Sequence, residues 1–349
     1  MIRVLVVDDS AIVRRVLSEQ LNALDDVEVV GTAVDPYVAR DRIMQLKPDV
    51  MTLDVEMPRL DGLSFLATLM RHHPIPVVIV SSLTPRNSDT ALRALALGAV
   101  EVVPKPGSSY SVPDVGRELA RAVRVAARAK LRPQAETEAG PELLPSTGLL
   151  TTHKVIAIGA STGGTTAIED VLRRLPRTTP GIVIVQHMPE YFTGPFAKRL
   201  NQFCEMEIRE GEDGDPVVPG VAIVARGARH MVLQRSGAKY VVRIKDGPPV
   251  HHQKPAVDPL FESVAQACGP NAVGALLTGM GADGARGLLS MREAGAQTIA
   301  QDEATCVVFG MPREAIKLGA AQEVVPLPNI AQRILTSLGS EAGKPAAKH

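Results

Sequence analysis

The hydrophobic positions of the chain form two series in which short apolar runs alternate with helical patterns. In the first series, residues 2–7 are a continuous aliphatic run, and apolar residues then recur at helical spacing from Ile12 to Leu24. Continuous runs of this kind are typical of strands buried on both faces of a parallel sheet. Further runs lie at 27–32, 36–46, 49–53, 62–71, 76–81, 88–97, 100–103 and 114–130. The series predicts an α/β domain with a doubly wound, five-stranded parallel sheet.

The second series runs from Val155 to about Leu338 and predicts another doubly wound α/β domain, Rossmann-like and with a mostly parallel sheet. Residues 131–152 are rich in proline, acidic and small polar residues and have little apolar periodicity, which is typical of a linker. Small and polar residues also make up the C-terminus. We therefore expect domains at 1–130 and 153–338, an inter-domain linker at 131–152 and a flexible tail at 339–349.

Composition narrows the class of protein. Lys plus Arg and Asp plus Glu each total 38, so the formal net charge is zero. A nucleic-acid-binding protein usually carries a basic excess, so we expect no nucleic-acid partner. The three cysteines are widely spaced, which argues against disulfides and zinc and for a reducing compartment. The apolar N-terminus is cut short by Asp8 and Asp9, and no run is long enough to cross a bilayer. We expect a cytoplasmic protein that does not insert into membranes.

Polar side chains follow the predicted strands of the first domain. Asp8 and Asp9 come after the first strand, Asp54 after the third, Ser81 ends the fourth and Lys105 follows the fifth. Ligands bind at the carboxyl ends of strands in such sheets, so these side chains are expected to meet there. Carboxylate oxygens suit Mg²⁺, and a lysine and a hydroxyl suit a phosphoryl group. The pattern indicates Mg²⁺-dependent phosphorylation of an aspartate.

On these residues, positions 1 to about 125 resemble the response-regulator receiver family. The matching segments are V-V-D-D-S at 6–10, L-D-V-E-M-P-R-L-D-G at 53–62, V-S-S at 80–82 and P-K-P at 104–106. The resemblance implies that a sensor histidine kinase of the chemotaxis type phosphorylates Asp54. It also implies that Mg²⁺ is bound by Asp9, Asp54 and the backbone carbonyl of Glu56, with Asp8 acting through water.

The same resemblance implies Ser81 and Lys105 as the switch hydroxyl and the lysine of the receiver domain, with a cis peptide bond before Pro106. One position departs from the family pattern. Val102 stands where the family usually has an aromatic switch residue. The phosphorylation chemistry does not depend on that residue, but the usual readout through an aromatic rotamer does.

A glycine-rich turn follows the first predicted strand of the second domain. Residues 155–158 lead into Gly159-Ala-Ser161-Thr-Gly163-Gly164, and a helical pattern begins at about Thr165. Such a turn could hold a phosphate at the helix N-terminus, or it could present Ser161 as a nucleophile beside an oxyanion hole. The spacing matches none of the common phosphate-loop or nucleophile motifs, and taken alone it favours a nucleotide or phosphate loop.

Two further strand ends favour the nucleophile. The strand at 182–185 is followed by His187, one crossover helix after Ser161, and the strand at 272–277 leads into a turn containing Asp283. A serine needs a base to take its proton, and the imidazole needs a carboxylate that orients it and stabilises its charged form. The three side chains therefore form a candidate triad, since triads are defined by geometry rather than chain order.

Residues 153 to about 338 resemble the catalytic domain of the chemotaxis protein-glutamate methylesterases. The matching segments are I-G-A-S-T-G-G at 158–164, V-Q-H-M-P at 185–189, R-H-M at 229–231, K-P-A-V-D-P-L-F at 254–261, L-L-T-G-M-G-A-D-G at 276–284 and Q-D-E-A-T-C-V-V-F-G-M-P at 301–312. The resemblance implies Ser161 as nucleophile, His187 as base and Asp283 as its orienting partner, with backbone N–H groups near Met280 and Thr162 as the oxyanion hole. Ala256 stands where the family often has serine, which we do not expect to affect the triad.

This resemblance implies demethylation of glutamate methyl esters on methyl-accepting chemoreceptors, with release of methanol and without a cofactor, and deamidation of receptor glutamines by some members. It also implies that the unphosphorylated receiver domain blocks the esterase site. Two other classes are weighed against it: a phosphorylation-controlled module that binds a nucleotide at 159–164, and a DNA-binding response regulator, which the net charge disfavours.

Histidines and a cysteine outside these motifs receive simpler interpretations. No carboxylate or cysteine stands at ligand spacing beside His230, His251 and His252, so we interpret them as cleft or surface residues rather than metal ligands. Cys306 lies inside an apolar run and is predicted to be a core residue.

Overall fold

The computed structural model of the chain describes residues 1–57, 62–82, 84–106, 112–131, 142–145 and 153–339. The chain divides into two units, Met1–Glu136 and Thr137–His349. Most of the linker expected at 131–152 and nearly all of the tail expected at 339–349 lie outside the described residues. Across the described segments, no helix is both long and apolar enough to cross a membrane.

The first unit is a five-stranded sheet with helices between its strands. The strand order is β2-β1-β3-β4-β5, and every pair is parallel, as predicted. The strands are β1 (Ile2–Val7), β2 (Val27–Ala33), β3 (Val50–Leu53), β4 (Val77–Ser81) and β5 (Glu101–Pro104). The helices are α1 (Ala11–Asn22), α2 (Pro36–Leu46), α3 (Gly62–His72), α4 (Pro85–Ala96) and α5 (Val112–Ala126).

Capping residues explain where several of these helices begin. The Ser10 hydroxyl accepts a hydrogen bond from the N–H of Val13, and the Asp35 carboxylate accepts one from Val38. The start predicted for α4, residue 88, is wrong by three residues: Thr84 accepts from the N–H of Asn87, so the helix begins at Pro85. A side-chain cap followed by proline at the first helical position is a strong start signal, and here it outweighs the polar composition of residues 85–89.

The second unit is built on a seven-stranded sheet in the order β15-β14-β13-β6-β7-β10-β8, with all neighbouring strands parallel. Its strands are β6 (Val155–Ala160), β7 (Ile182–Gln186), β8 (Glu207–Glu210), β10 (Val221–Val224), β13 (Ala272–Leu276), β14 (Gln297–Gln301) and β15 (Glu323–Val325). Its helices are α6 (Gly164–Arg173), α7 (Glu190–Leu200), α8 (Val257–Cys268), α9 (Ala285–Glu293), α10 (Met311–Lys317) and α11 (Leu327–Gly339). The predicted Rossmann-like α/β class is confirmed.

A second, smaller sheet in this unit was not predicted. Strands β9 (Pro216–Val217), β11 (His230–Ser236) and β12 (Lys239–Lys245) form it in the order β11-β12-β9, and both pairings are antiparallel. The buried side chains of Met231, Leu233 and Val242 join the hydrophobic core that also contains α8. The small sheet is therefore part of the core of the second unit rather than a surface addition.

The parallel register brings the ends of the central strands together. In the pairing of β6 with β7, Ala160 lies opposite Gln186, and in the pairing of β6 with β13, Gly159 lies opposite Leu276. The residues that follow these three strands, including Ser161 and His187, therefore share one edge of the sheet.

Candidate active site

The charged residues predicted at the strand ends of the first unit do come together. The Nζ atom of Lys105 lies 2.6 Å from Oδ2 of Asp54 and 3.6 Å from Oδ2 of Asp8. Both carboxylates are almost fully buried. The backbone N–H of Glu56 donates to Asp54 Oδ1 at 2.8 Å, and that of Ser10 donates to Asp8 Oδ1 at 2.8 Å. These contacts fix the direction of both carboxylates.

Burial sets the electrostatics of this cluster. Burial raises the pKa of the Asp54 and Asp8 carboxyl groups above their ordinary value, although Lys105 and the backbone N–H groups act against it. Burial by itself would lower the pKa of Lys105, but its hydrogen bond and charge interaction with Asp54 raise that pKa instead. One ammonium group thus faces more negative charge than it can offset, and an added cation would be favoured here.

The residues present fit a divalent cation of the magnesium type. One carboxylate oxygen from each of Asp8, Asp9 and Asp54 lies within 4.8 Å of the others. The Oδ2 atom of Asp8 is buried and accepts no hydrogen bond from the residues that the structure describes. An oxygen-only donor set of this kind suits a hard cation such as Mg²⁺.

Ser81 has a partner that the sequence did not reveal. Its hydroxyl donates to Oε1 of Glu56 at 2.7 Å, and the N–H and hydroxyl of Ser82 donate to the same carboxylate at 2.9 and 2.8 Å. The prediction of a cis peptide bond before Pro106 is wrong. Within the described residues, the only cis peptide bond joins Lys254 and Pro255. Val102 is buried in β5.

In the second unit, Ser161 lies in the tight turn between β6 and α6. Its backbone N–H donates to the carbonyl of Thr278 at 3.0 Å, and its carbonyl accepts from Gly164 at 2.7 Å. Glycine is required nearby, because a Cβ atom on Gly279 would lie 2.7 Å from the Ser161 Cβ. Gly163 has a φ of 76°, in the left-handed region that favours glycine.

His187 follows β7 and stands beside this turn. Its N–H donates to the carbonyl of Ala160 at 3.1 Å, which ties it to the residue before Ser161. Its Nε2 atom lies 2.7 Å from Oδ2 of Asp283. The other ring nitrogen, Nδ1, is buried and has no hydrogen-bond partner in the described part of the chain.

Asp283 is held by three N–H groups. Besides His187, the backbone N–H groups of Val257 and Asp258 donate to its carboxylate at 2.7 and 2.9 Å. These two residues begin α8, so the carboxylate caps that helix and faces the positive end of its dipole. Burial would raise the pKa of Asp283, but these hydrogen bonds, that of His187 first, outweigh it and lower the pKa. An ionised carboxylate only accepts, so Nε2 of His187 carries the proton and Nδ1 is left as the basic nitrogen.

The two residues expected at the oxyanion hole adjoin Ser161. Thr162 follows it directly, and its carbonyl accepts from the Thr278 hydroxyl at 3.0 Å. Met280 follows Gly279, which lies against the Ser161 side chain. Among the described residues, the N–H of Met280 donates no hydrogen bond.

Gln186 is a site residue that the sequence analysis missed. Its side-chain amide donates to the carbonyls of Ser161 and His187 at 2.8 and 3.0 Å, so it ties the two turns together. Its position directly before the histidine was the only available signal. Cys306 is buried, as predicted.

The histidines outside the candidate triad differ in their surroundings. His230 is buried, and its Nε2 atom lies 3.0 Å from the carbonyl of Pro248. His251 was expected to have no carboxylate partner, and this prediction is wrong, because its Nε2 lies 3.0 Å from Oδ2 of Asp258. Ligand atoms of His251, Asp258 and Asp283 lie within 4.8 Å of one another. Each carboxylate oxygen already has a nitrogen partner, which is the pattern of a hydrogen-bond network rather than a cation site.

Comparison with known proteins covers both units. Residues 156–334 match the family model described as CheB methylesterase, and residues 4–112 match that of the response regulator receiver domain. A protein of Syntrophus aciditrophicus (strain SB) named protein-glutamate methylesterase/protein-glutamine glutaminase 2 is 55% identical over 337 residues, which cover 96% of this chain and 98% of that protein. A Salmonella typhimurium protein named protein-glutamate methylesterase/protein-glutamine glutaminase is 53% identical over 341 residues, 97% of each chain. The crystal structure of the Thermotoga maritima CheB methylesterase catalytic domain matches with a TM-score of 0.52 and 35% identity, covering 53% of this chain and 99% of that one.

Proposed function

The chain belongs to the CheB methylesterase family, and we propose on that basis that it hydrolyses glutamate methyl esters on chemoreceptors and releases methanol. The observation that carries the proposal is the hydrogen bond of 2.7 Å between His187 and Asp283 at the sheet edge where Ser161 lies. The proposal places the enzyme in the cytoplasm, where it serves adaptation in chemotaxis or a related chemosensory pathway.

The proposed reaction uses Ser161 as nucleophile. Its hydroxyl oxygen attacks the ester carbonyl while Nδ1 of His187 takes the proton, and Asp283 stabilises the resulting imidazolium through Nε2–H. The imidazolium then gives the proton to the departing methoxide, which leaves as methanol. Water attacks the acyl-enzyme with His187 again as base, which yields the glutamate carboxylate and restores the serine.

The backbone N–H of Met280, with that of Thr162, is proposed to stabilise the tetrahedral oxyanion. The unused N–H of Met280 beside the Ser161 side chain supports this role. The relatives are also named as protein-glutamine glutaminases. The same acyl-enzyme forms from a glutamine side chain with ammonia as the leaving group, so we propose that activity as well. We propose that both hydrolyses proceed with these groups and without a cofactor.

Phosphorylation of Asp54 is proposed to raise the esterase activity, with a sensor histidine kinase as phosphodonor. A receiver domain implies phosphorylation that is usually dependent on Mg²⁺. Asp8, Asp9, Asp54 and the backbone carbonyl of Glu56 would hold the ion, which when bound neutralises charge between the carboxylates and the phosphoryl group. Lys105, already 2.6 Å from Asp54, would pair with the phosphoryl oxygens.

One experiment tests both parts. Methanol release would be measured from methylated receptor membranes, with and without a small phosphodonor, for the native chain, Ser161→Ala and Asp54→Asn. We expect the native chain to be stimulated, Asp54→Asn to keep only unstimulated activity, and Ser161→Ala to release none. Activity retained in Ser161→Ala would overturn the nucleophile, and full stimulation of Asp54→Asn would overturn the phosphoacceptor.

A further inference from the structure

Two histidines occupy a strained turn close to the candidate triad. Val250 and Gln253 exchange backbone hydrogen bonds of 3.0 and 2.8 Å, and the two residues between them, His251 and His252, have φ values of 50° and 62°. A two-residue turn with both φ values positive normally contains asparagine and glycine, because side chains with a Cβ are strained there. Strain of this kind persists where the surrounding structure over-determines it, and it is often found at functional positions.

The turn directs His251 toward Asp258, a residue that is itself bound to Asp283. His251 Nε2 lies 3.0 Å from Oδ2 of Asp258, and the other oxygen of Asp258 accepts from the N–H of Gly287 at 2.7 Å. The backbone N–H of Asp258 donates to Asp283 at 2.9 Å, and Asp283 in turn binds His187. The pairs His187–Asp283 and His251–Asp258 are therefore linked through the backbone N–H of Asp258 at the start of α8.

The second pair places charged groups beside the first. Asp258 is buried, and burial raises the pKa of its carboxyl group, as does the charge of Asp283, while the Gly287 N–H and His251 lower it. An ionised Asp258 increases the negative potential at Asp283 and favours a proton on His187. A protonated His251 offsets that potential.

Other charged groups surround this pair. Glu262 on α8 interacts with Asp258 and Asp283, and Arg286 on α9 partly offsets it. In the loop that carries His251, Lys254 is bound to Asp246, which also pairs with Arg229. His252 is exposed and makes no hydrogen bond or ion pair with the described residues.

We propose that His251 and Asp258 are positioning residues of the esterase, which set the pH range in which His187 acts as base. The inference rests on the proposed methylesterase function and adds a second pair of residues to it. Neither residue needs to touch the substrate, because their effect passes through Asp283.

The test is the pH profile of kcat/KM for methanol release by the full chain at saturating phosphodonor. His251→Gln keeps a hydrogen-bond donor for Asp258 but removes the positive charge of the imidazolium. The acid limb of the profile should therefore move to higher pH by about 0.5 to 1 unit. The shift is modest because 39% of the His251 side chain is exposed. Asp258→Asn should move the limb by a similar amount to lower pH, and His251→Lys, which keeps a positive charge, should stay near the native profile.

His252→Gln is the matched control, since it makes the same change in the same turn without touching Asp258. We expect its profile to match that of the native chain. The receiver domain is identical in all variants, so differences between profiles report on the esterase site. Equal acid limbs in His251→Gln and Asp258→Asn would overturn the proposal, as would a shift in His252→Gln as large as that in His251→Gln. Absence of methanol release by the native chain would instead refute the underlying function, and release that survives Ser161→Ala would refute only the nucleophile.

Discussion

Replacing Asp283 by asparagine is the most direct test of how the proposed triad is oriented. The carboxylate accepts from three N–H groups, those of His187, Val257 and Asp258. Asparagine has one acceptor oxygen and an NH₂ group, and the two backbone N–H groups cannot turn away. Oδ2 of Asp283 accepts from both His187 and Val257, whereas Oδ1 accepts from Asp258, so either orientation of the amide leaves one backbone N–H of α8 facing an NH₂ group. In the orientation that places nitrogen at the Oδ2 position, the NH₂ group also faces His187. The imidazole can accept from it only by moving its proton to Nδ1, which leaves no base toward Ser161.

The wrong tautomer should cost about 10⁴-fold in kcat, the loss known for the equivalent change in a serine protease, which corresponds to about 5.5 kcal/mol. Stability should fall as well, because at least one buried N–H group loses a charged acceptor, at a cost of about 1–3 kcal/mol. For a domain of this size, each kcal/mol lowers the melting temperature by about 2–4 °C.

The assay is methanol release at saturating substrate, at a temperature where circular dichroism shows Asp283→Asn to be folded. Asp213→Asn is the matched control: its exposed carboxylate also accepts a backbone N–H, that of Ile244, but its charged partner is Arg243 rather than a residue of the candidate triad. We expect the control to keep native activity. Combining Asp283→Asn with Ser161→Ala should cost no more activity than Ser161→Ala alone, because the residues act as a unit. A folded Asp283→Asn variant within tenfold of native kcat would refute the tautomer argument.

Three further predictions concern other parts of the chain. Burial raises the pKa of the Cys204 thiol to about 12 and that of Cys268 to about 11, so their alkylation at pH 8 should be at least about 100-fold slower than that of a free cysteine. Alkylation of these thiols as fast as that of free cysteine, followed by mass spectrometry, would contradict this. His252→Gly should raise the free energy of unfolding by about 0.5–1 kcal/mol, because glycine tolerates a φ of 62°, and a lower melting temperature would argue against strain in the turn. Glu56→Ala frees the Ser81 hydroxyl from its hydrogen bond and should lower the phosphodonor concentration for half-maximal activation about three- to tenfold. A higher phosphodonor concentration for half-maximal activation would show instead that Glu56 assists phosphorylation.

Much of the candidate chemistry could be predicted because it depends on topology. In a doubly wound sheet, the residue after each strand lies at one edge, so Asp54, Lys105, Ser161 and His187 could be placed there from the ends of apolar runs alone. The turn around Ser161 was ambiguous by itself, and the histidine after the neighbouring strand favoured a nucleophile. Such inferences need only strand order and register.

The contacts that sequence reasoning missed depend on side-chain directions and on irregular backbone. Nothing in the spacing of Glu56 and Ser81 shows that the carboxylate turns toward the hydroxyl. The link between His251 and Asp258 depends on a turn that glycine or asparagine normally forms, so two histidines gave no turn signal. The small sheet was missed because β9 has only two residues, and because β11 and β12 mix polar and charged residues with apolar ones and so form no continuous apolar run.

The cap that Asp283 forms on α8 has a consequence for how this activity would decay. The Ser161 hydroxyl has no hydrogen-bonded neighbour among the described residues, and His187 uses its ring only toward Asp283, so both could be replaced with little damage to the fold. Asp283 could not, since the first N–H groups of a core helix depend on it. In a descendant freed from the need to hydrolyse esters, the serine and histidine would drift first. Asp283 would be retained longest, because α8 would still need it as a cap even when the ester is no longer hydrolysed.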